Sequence, residues 1–362
     1  MLIDNKLYLE DMDNICRCGI DWDRLDGAGI LITGAAGMIG TCLADALMYR
    51  NRYFDQKINI YASGRSKNKL EKRFAGYCGE KLFHIFEYDV TKPLVTDAHL
   101  NYIIHAASNS YPKKFADDPV GTMLGNFMGA YNLLQYAREN KTKRLLYISS
   151  GEVYGEGNGC DFKEDYSGYV DSTSPRACYP SGKRAAETLC ASYAAQYGTD
   201  VVIARPSHVY GPAATDEDTR ASSQFIRDAV LGKDIVMKSR GEQVRSYTYI
   251  ADCVSALLTV LDRGISGNAY NISNKDSVVS IMEMSRMTAE YAGVDILFDF
   301  PDETEKRGFS TVKRAVLNSD KLGKLGWSGR YGIKEGIRRT VDILRSVKKE
   351  GIKYDVCGDS RS

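Results

Sequence analysis

A glycine-rich segment between an apolar run and a helical pattern constrains the fold of this chain more than any other feature. Residues 30–40 read Ile-Leu-Ile-Thr-Gly-Ala-Ala-Gly-Met-Ile-Gly, with glycines at three-residue intervals. Gly34 gives the backbone freedom that a sharp turn needs, Gly37 lets main-chain N–H groups approach a pyrophosphate, and Gly40 permits close packing of a helix on a strand. Because the helix N-terminus then offers partial positive charge to phosphates, the segment predicts a dinucleotide site.

Short apolar runs alternate with longer helical patterns as far as residue 211. Strands that alternate with helices in this way imply right-handed crossovers and a parallel sheet covered on both faces. The predicted fold class is therefore α/β, a Rossmann-type doubly wound parallel sheet with a smaller C-terminal substrate-binding α/β domain. The predicted strands are 30–32, 58–62, 82–88, 102–105, 144–148 and 201–204, and the longest helices are 121–139 and 179–197.

The alternation breaks near residue 212, where helical stretches are separated by short extended pieces and turns. At the other end we predict a polar segment without clear periodicity that lies on the body as one helix. The predicted divisions are an N-terminal extension (1–29), an NAD(P)-binding Rossmann domain (30–211), a mainly substrate-binding domain with some segments returning to the Rossmann sheet (212–347) and a frayed C-terminal tail (348–362).

The composition excludes several classes of protein. The 362 residues include 48 Lys and Arg against 47 Asp and Glu, a net charge of +1 that gives no electrostatic basis for binding nucleic acid or an anionic membrane. No apolar run approaches the ~20 residues of a membrane span, and the first residues lack the order of a signal peptide. The nine cysteines are scattered, with no CxxC pair and only four histidines to complete a metal shell. We expect reduced thiols, no metal site and a cytoplasmic location.

A tyrosine and a lysine begin the helical pattern that follows the fifth strand. Tyr179 and Lys183 lie in Tyr-Pro-Ser-Gly-Lys and therefore share one helix face. A free tyrosine, with a pKa of ~10, is a poor base at neutral pH. A neighbouring ammonium lowers that pKa, and the ribose of a bound dinucleotide can relay the proton. We predict Tyr179 as the catalytic base and acid, and Lys183 as the residue that orients the ribose and tunes Tyr179.

The fifth strand ends in Ser-Ser-Gly-Glu, at the sheet edge where open parallel sheets bind ligands. We predict that Ser150 hydrogen-bonds the substrate hydroxyl being oxidised and that Glu152 points to the substrate. Both residues are candidates for catalysis and for substrate binding.

These motifs resemble the short-chain dehydrogenase/reductase superfamily, in its extended, sugar-nucleotide-modifying branch, over about residues 28–345. The segments Ser-Pro-Arg-Ala-Cys-Tyr (174–179) and Gly-Lys-Arg-Ala-Ala-Glu-Thr-Leu-Cys (182–190) are most similar to those of UDP-glucuronate decarboxylases. The resemblance implies an enzyme with tightly bound NAD or NADP that oxidises C4 of a nucleotide sugar, releases CO2 and reduces the C4 ketone again.

Other reactions stay open at this point. The 4,6-dehydratases of the branch carry an acidic residue at position 151, and Gly151 has no side chain to donate that proton. A nucleotide-sugar 4-epimerase needs only Tyr179 and Ser150, with room for the ketose to rotate. An NADPH-dependent ketoreductase is a further rival. A non-catalytic dinucleotide-binding protein is disfavoured because Ser150, Tyr179 and Lys183 are all present.

The resemblance also assigns contacts with the cofactor. Where relatives place an acid after the second strand to bind the adenosine ribose, this chain has Ser63, Gly64 and Arg65, which would accommodate the 2′-phosphate of NADP. Asp89 is expected to hold the adenine amino group. The predicted cofactor-binding residues are Gly34, Ala36, Gly37, Met38, Ile39, Gly40, Ser63, Gly64, Arg65, Asp89, Val90, Ala106, Ala107, Ser108, Asn126, Ser149, Tyr179, Lys183, Pro206 and Val209.

Two more residues are assigned to the substrate by the resemblance. His208 stands in Arg-Pro-Ser-His-Val-Tyr-Gly-Pro where Asn is usual, and it either bonds a phosphate or sugar hydroxyl or replaces Asn structurally. Arg245 matches an arginine that contacts the diphosphate or the sugar carboxylate, and a guanidinium suits either anion.

A homodimer is the last expectation. In the extended branch the two longest helices pair with their copies across a two-fold axis, and apolar residues here cover more of each helix than one buried stripe requires. They include Met123, Phe127, Ala130, Tyr131, Leu134 and Ala137 in the first helix, and Ala186, Leu189, Cys190, Tyr193 and Ala194 in the second.

Overall fold

Seven parallel strands form the central sheet in the computed structural model, which describes residues 1–300 and 312–358. The strands of the described residues are β1 (Gly29–Thr33), β2 (Asn59–Gly64), β3 (Phe83–Glu87), β4 (Tyr102–His105), β5 (Arg144–Ile148), β6 (Val201–Pro206), β7 (His208–Tyr210), β8 (Ile235–Met237), β9 (Val244–Tyr249), β10 (Ala269–Ile272), β11 (Val278–Ser280), β12 (Ile296–Phe298) and β13 (Arg314–Ala315). The main helices are α1 (Lys6–Cys16), α2 (Met38–Tyr53), α3 (Lys67–Arg73), α4 (Pro112–Asp117), α5 (Pro119–Glu139), α6 (Cys178–Tyr197), α7 (Ala221–Val230), α8 (Ile250–Arg263), α9 (Ile281–Ala292) and a final helix (Ile333–Gly358).

The strand order of the central sheet is β10-β6-β5-β4-β1-β2-β3. The chain starts in the middle at β1, adds β2 and β3 on one side, and then crosses to β4 and the strands beyond it. Ligands of doubly wound sheets bind where the order reverses, which here lies between β1 and β4. The predicted α/β fold with a doubly wound parallel sheet is confirmed.

Sequence patterns predicted six of these seven strands. The seventh, β10, pairs with β6 in the register Ala269↔Ile203, although five elements, from β7 to α8, lie between them along the chain. Its four residues lie outside the strand–helix alternation, so their local pattern did not distinguish them from a loop.

The strands of the sheet centre are apolar on both faces. On β1, Ile30 and Ile32 face a core that includes α2 and α8, whereas Leu31 faces a second core beneath α5 and α6. The side chains alternate because successive residues of a strand point to opposite faces. The sheet is therefore buried by helices on both sides, which holds its carboxyl edge in place.

Beyond β6 the chain builds smaller sheets beside that edge. β9 pairs with β7, β11 and β13, and β8 pairs with β12. β10 returns to the central sheet, as was expected for some segments after residue 212, and the division at that residue stays a prediction. The final helix continues past residue 348, the predicted start of the tail, to Gly358, and residues 359–362 lie outside the described residues.

The N-terminal segment forms helix α1, whose apolar face is buried in the core, a periodicity that its polar sequence did not indicate. Its assignment as an extension over residues 1–29 stays a prediction. Tyr8, Met12 and Ile15 of α1 are buried at helical spacing against α2 and α8. The Asp11 carboxylate is fully buried, accepts a hydrogen bond from Tyr249 Oη at 2.6 Å and lies 2.8 Å from Arg339 Nε of the final helix. Asp11 and Arg339 therefore join α1 to the final helix through a buried ion pair.

We expect Arg339→Ala to lower the free energy of unfolding by about 3–5 kcal/mol, because it leaves the buried Asp11 carboxylate without its cation. Burial raises the pKa of Asp11. A raised folded-state pKa means that stability falls as the pH rises through it, so the loss should shrink in acid. Urea denaturation at two pH values measures both effects.

Adding Asp11→Asn to Arg339→Ala removes the uncompensated charge and should recover part of the loss. A loss below about 1 kcal/mol in the single variant would show that apolar packing alone holds α1.

Candidate active site

One continuous cleft of about 1370 Å³ opens at the carboxyl edge of the central sheet. Residues that follow β1, β4 and β5 line it, as do the end of β6 and Arg245 of β9. A single small ligand usually occupies a pocket of ~300–1,000 Å³, so this cleft has room for two. Its position is the point where the strand order reverses.

The turn after β1 forms one end of the cleft and fits a dinucleotide. Gly34 has a φ of +67°, and a Cβ there would lie 2.7 Å from the Cα of Ala107, in the turn after β4. At Gly40 a Cβ would lie 2.5 Å from the carbonyl oxygen of Gly34. The backbone therefore lies open toward the cleft, and the N-terminus of the 16-residue α2 supplies N–H groups and partial positive charge for a pyrophosphate.

Tyr179, Lys183 and Ser150 meet at the middle of the cleft. The first turn of α6 presents Tyr179 and Lys183 on one face, and both side chains are buried. Lys183 Nζ donates a hydrogen bond of 2.7 Å to the carbonyl oxygen of Ile148, at the end of β5. Ser150 follows two residues later and interacts with the Tyr179 phenol. The predicted catalytic residues thus lie together.

The pKa values of Tyr179 and Lys183 differ from the expectation that Lys183 lowers the pKa of Tyr179. Burial raises the pKa of Tyr179 to about 12, the Glu152 carboxylate adds to this, and the hydrogen bond with Ser150 opposes it. Burial also lowers the pKa of Lys183 to about 7. Among the protein groups described, desolvation therefore outweighs the ammonium, because both side chains are taken out of water.

Aromatic stacking orients the phenol of Tyr179. The ring of Phe115, on α4, stacks on the Tyr179 ring with 4.6 Å between centroids and an angle of 21°. The Arg176 guanidinium lies 4.9 Å from the centre of the Phe115 ring and donates to both oxygens of Glu152, at 3.0 and 3.2 Å. Glu152 is thus held at the wall of the cleft by an ion pair rather than free in a loop.

Two basic side chains, Arg245 and His208, lie beside each other on the wall of the cleft. Arg245 is 4% exposed, and among the described residues its guanidinium donates only to the carbonyl oxygens of Val244, Val312 and Lys313. His208 is half-buried beside it, and burial and the neighbouring arginines lower its pKa to about 3, so it is neutral. A buried guanidinium without a carboxylate partner is suited to an anionic ligand.

Most of the predicted site residues line the cleft, but two do not. Ser63 is fully buried, and its carbonyl oxygen accepts a hydrogen bond of 2.9 Å from the N–H of Ala35, so it supports the glycine turn from behind. Asn126 is also buried and accepts a hydrogen bond of 2.9 Å from Ser108. The predicted residues on the wall are Gly34, Ala36, Gly37, Met38, Ile39, Gly40, Gly64, Arg65, Asp89, Val90, Ala106, Ala107, Ser108, Ser149, Ser150, Glu152, Tyr179, Lys183, Pro206, His208, Val209 and Arg245.

The end of the cleft near the glycine turn is basic. Lys69 Nζ lies 2.6 Å from Glu217, which also accepts a hydrogen bond from Tyr111, and Arg73 donates to the carbonyl oxygen of Ala213. These contacts tie α3 to the loop before α7, across the cleft. Arg65 is exposed, and no hydrogen bond or ion pair joins it to another described residue. Arg65 is therefore available to a ligand phosphate.

Sequence reasoning missed several residues of the wall. Arg176 lies within the segment 174–179 that resembles the decarboxylases, so its place near the site could have been predicted from that resemblance. Arg220 and Leu317 belong to no motif, and only the folded chain brings them to the cleft. The Cδ1 atom of Leu317 would lie 3.2 Å from a Cβ at Gly151, so this part of the wall is apolar.

The fold and the site together define a dinucleotide-dependent enzyme of the short-chain dehydrogenase/reductase type. The chain belongs to the NAD-dependent epimerase/dehydratase family, whose sequence model matches residues 30–273. It is 31% identical over 324 residues to UDP-glucuronic acid decarboxylase 1 of Xenopus tropicalis, covering 88% of this chain and 73% of that protein. It is also 31% identical over 312 residues to UDP-glucuronic acid decarboxylase 6 of Arabidopsis thaliana, covering 85% of this chain and 86% of that protein. The predicted family is confirmed.

Solved structures share the fold at lower identity. A dTDP-glucose 4,6-dehydratase from Bacillus anthracis, in complex with NAD, matches with a TM-score of 0.75 and 20% identity, covering 89% of this chain and 98% of that one. A UDP-glucuronic acid 4-epimerase from Bacillus cereus, in complex with UDP-glucuronic acid and NAD, matches with a TM-score of 0.73 and 23% identity, covering 88% and 99%.

Membrane-spanning helices and metal sites are both absent from the described residues. None of their helices combines the length and the apolar character needed to cross a membrane. No three side chains among His, Cys, Asp and Glu come together as a metal site there, and eight cysteines are free thiols.

We expect Arg65→Ala to weaken NADP binding by ~1.5–3 kcal/mol, the size of a charge-assisted hydrogen bond, and to leave NAD binding nearly unchanged. Calorimetry with both dinucleotides measures this. Lys92→Ala, which removes a nearby cation outside the cleft wall, is the matched control. Equal losses for NAD and NADP in Arg65→Ala would show that Arg65 does not contact the 2′-phosphate.

Proposed function

We propose that this protein is a nucleotide-sugar decarboxylase that acts on a nucleoside diphosphate uronic acid, as its relatives named UDP-glucuronic acid decarboxylases act on theirs. The observation that carries the proposal is the assembly of Ser150, Tyr179 and Lys183 at the sheet edge with the buried Arg245 facing the same cleft. The cleft volume is large enough for a dinucleotide and a nucleotide sugar together.

The first step is oxidation of C4 of the sugar. A nicotinamide dinucleotide, when bound, accepts the C4 hydride and later returns it. Tyr179 takes the proton of the C4 hydroxyl, and Ser150 hydrogen-bonds the same oxygen. Lys183, whose ammonium donates to the Ile148 carbonyl, would hold the ribose of the cofactor and would favour the ionised phenol of Tyr179.

The second step is loss of CO2 from the 4-keto acid. The C5–C6 bond breaks, its electron pair forms the enolate of the C4 ketone, and the hydroxyls of Ser150 and Tyr179 stabilise the enolate oxygen. C5 then takes a proton from water, because Gly151 has no side chain to supply one and Leu317 beside it is apolar. Return of the hydride to C4 and of the Tyr179 proton to its oxygen completes the reaction.

An anionic substrate is supported by the charges of the wall. Arg176 and Arg220 are paired with Glu152 and Asp218, whereas Arg245 meets only carbonyl oxygens among the described residues. A guanidinium in that state gains from a phosphate or carboxylate ligand. The diphosphate and the uronic carboxylate are both anions of this kind.

A 4-epimerase is the second candidate, because it needs only Tyr179 and Ser150, which both line this cleft. A 4,6-dehydratase-like reaction lacks its acid at Gly151. An NADPH-consuming ketoreductase is favoured only by Arg65, and it would oxidise added cofactor stoichiometrically, whereas the other reactions recycle it.

Incubation with a panel of nucleotide sugars, followed by mass spectrometry, tests the proposal. Decarboxylation of a nucleoside diphosphate uronic acid removes about 44 mass units as CO2, and this is the expected result. Loss of water, a new chromatographic peak of unchanged mass, or turnover only with added NADPH would each point to a rival reaction. Tyr179→Phe protein is the matched blank.

We also propose a homodimer in a reducing, cytoplasmic location. Met123, Leu124, Phe127 and Tyr131 of α5 are each 38–50% exposed and recur at helical spacing along one face. Pairing with a second copy across a two-fold axis would bury this self-complementary stripe. The other predicted interface residues of α5, Ala130, Leu134 and Ala137, are buried within the chain.

Eight free thiols are in keeping with a reducing compartment.

We expect Tyr179→Phe to lower kcat by at least about 10²-fold while the dissociation constant of the cofactor changes little, because only the proton-transferring hydroxyl is removed. Steady-state kinetics and calorimetry measure the two quantities. Tyr169→Phe removes another phenol from the cleft wall and should keep its activity. A wild-type rate for Tyr179→Phe would show that another group transfers the proton.

Light scattering at micromolar concentration should give a mass near twice the 40.2 kDa of one chain. Phe127→Glu should shift it toward the monomer, since a charge in an apolar interface is costly to desolvate. Val95→Glu, at another exposed apolar position, should not. A concentration-independent mass near one chain would contradict the dimer.

A further inference from the structure

A buried aromatic ring lies directly beside the ammonium of Lys183. Tyr147, on β5, is 1% exposed, and its ring centroid lies 4.8 Å from Lys183 Nζ. The Tyr179 ring is more distant, at 5.9 Å. Lys183 is itself 2% exposed and donates one hydrogen bond to the Ile148 carbonyl. The ring is therefore a main neighbour of the ammonium inside the core.

A buried ammonium needs compensation if it is to stay charged. Removal from water favours the neutral amine, whereas the negative face of an aromatic ring favours the cation, most strongly in a desolvated site. The other titratable groups near Lys183 are His105 on β4 and Glu187 and Cys190 on α6.

None of these three groups replaces the ring. Glu187 is bound by Arg205 at 2.6 Å, so most of its charge is already neutralised. Burial keeps His105 neutral by lowering its pKa to about 3, and burial raises the pKa of the Cys190 thiol, which stays protonated.

The Tyr147 hydroxyl is buried and has no hydrogen-bond partner among the described residues. The hydroxyl group therefore contributes no hydrogen bond that a phenylalanine would lose. The face of the ring, in contrast, contacts the Lys183 ammonium. This distinction separates a role of the ring from a role of the phenol.

We propose that Tyr147 is a positioning residue for the catalytic lysine: its ring holds the Lys183 ammonium charged and fixed beside the end of β5. The inference rests on the proposed role of Lys183 in orienting the ribose and assisting Tyr179. It adds a specific residue of β5 to the machinery, one that acts through Lys183 and contacts neither substrate nor reacting atoms.

The test is the pH dependence of NADH binding, followed by NADH fluorescence between about pH 5 and 9. Lys183→Met identifies the part of that dependence that belongs to the lysine. In wild type, affinity should fall as the pH rises through the pKa of Lys183, which burial places near about 7. Tyr147→Leu should move this fall to lower pH by roughly 1 unit, and Tyr147→Phe should leave it in place.

Fluorinated phenylalanines at position 147 keep nearly the volume of the ring but weaken its negative face. They therefore provide a second test that does not depend on whether Tyr147→Leu folds. Each added fluorine should shift the fall further to lower pH. Tyr270→Leu is the matched control, because Tyr270 is also 1% exposed and its ring lies 4.8 Å from Lys321 Nζ, away from the cleft.

The proposal is overturned if fluorination produces no graded shift, if Tyr147→Phe shifts the fall as far as Tyr147→Leu, or if Tyr270→Leu shifts it equally. These outcomes are distinct from those that would overturn the proposed decarboxylase function. A protein that turns over no nucleotide sugar but shows the graded shift still supports the role of Tyr147. A protein that decarboxylates its substrate but shows no shift contradicts only this inference.

Discussion

The site depends on a contact between two backbone turns with no side chain between them. The turn at Gly34 passes so close to Ala107 that a Cβ would overlap the backbone there. This contact brings the ends of β1 and β4 together at the point where the strand order reverses, and it leaves main-chain N–H groups facing the cleft. Burial of the sheet on both faces keeps the two turns in register. The phosphate site and the catalytic edge are therefore consequences of one sheet topology.

Desolvation governs the protonation of the two proposed catalytic residues of α6. Tyr179 and Lys183 are buried, and burial favours the neutral form of each by raising the pKa of Tyr179 and lowering the pKa of Lys183. The structure offsets this with local contacts: the carbonyl of Ile148, the ring of Tyr147 and the hydroxyl of Ser150. Such groups act strongly because water is excluded, and a bound ribose would add to them.

Features that depend on a short stretch of sequence were predictable, and features that depend on distant contacts were not. The glycine turn, six central strands and the Tyr179–Lys183 pair follow from local spacing. The burial of Tyr8 and Met12 was also encoded locally, at helical spacing, but the surrounding acidic residues obscured it. In contrast, the stacking of Phe115 on Tyr179 and the protonation of Lys183 arise only when separate elements pack together, because burial is a property of the folded chain.

The central claim is that C4 of the sugar is oxidised and reduced again within this one site, with Tyr179 moving the proton. The most direct measurement follows a nucleoside diphosphate uronic acid that carries deuterium at C4, without added cofactor in the assay. The account predicts a decarboxylated product that retains the deuterium at C4, because the hydride never leaves the cleft. A product that has lost the deuterium, or turnover that stops unless NADPH is supplied, would contradict it.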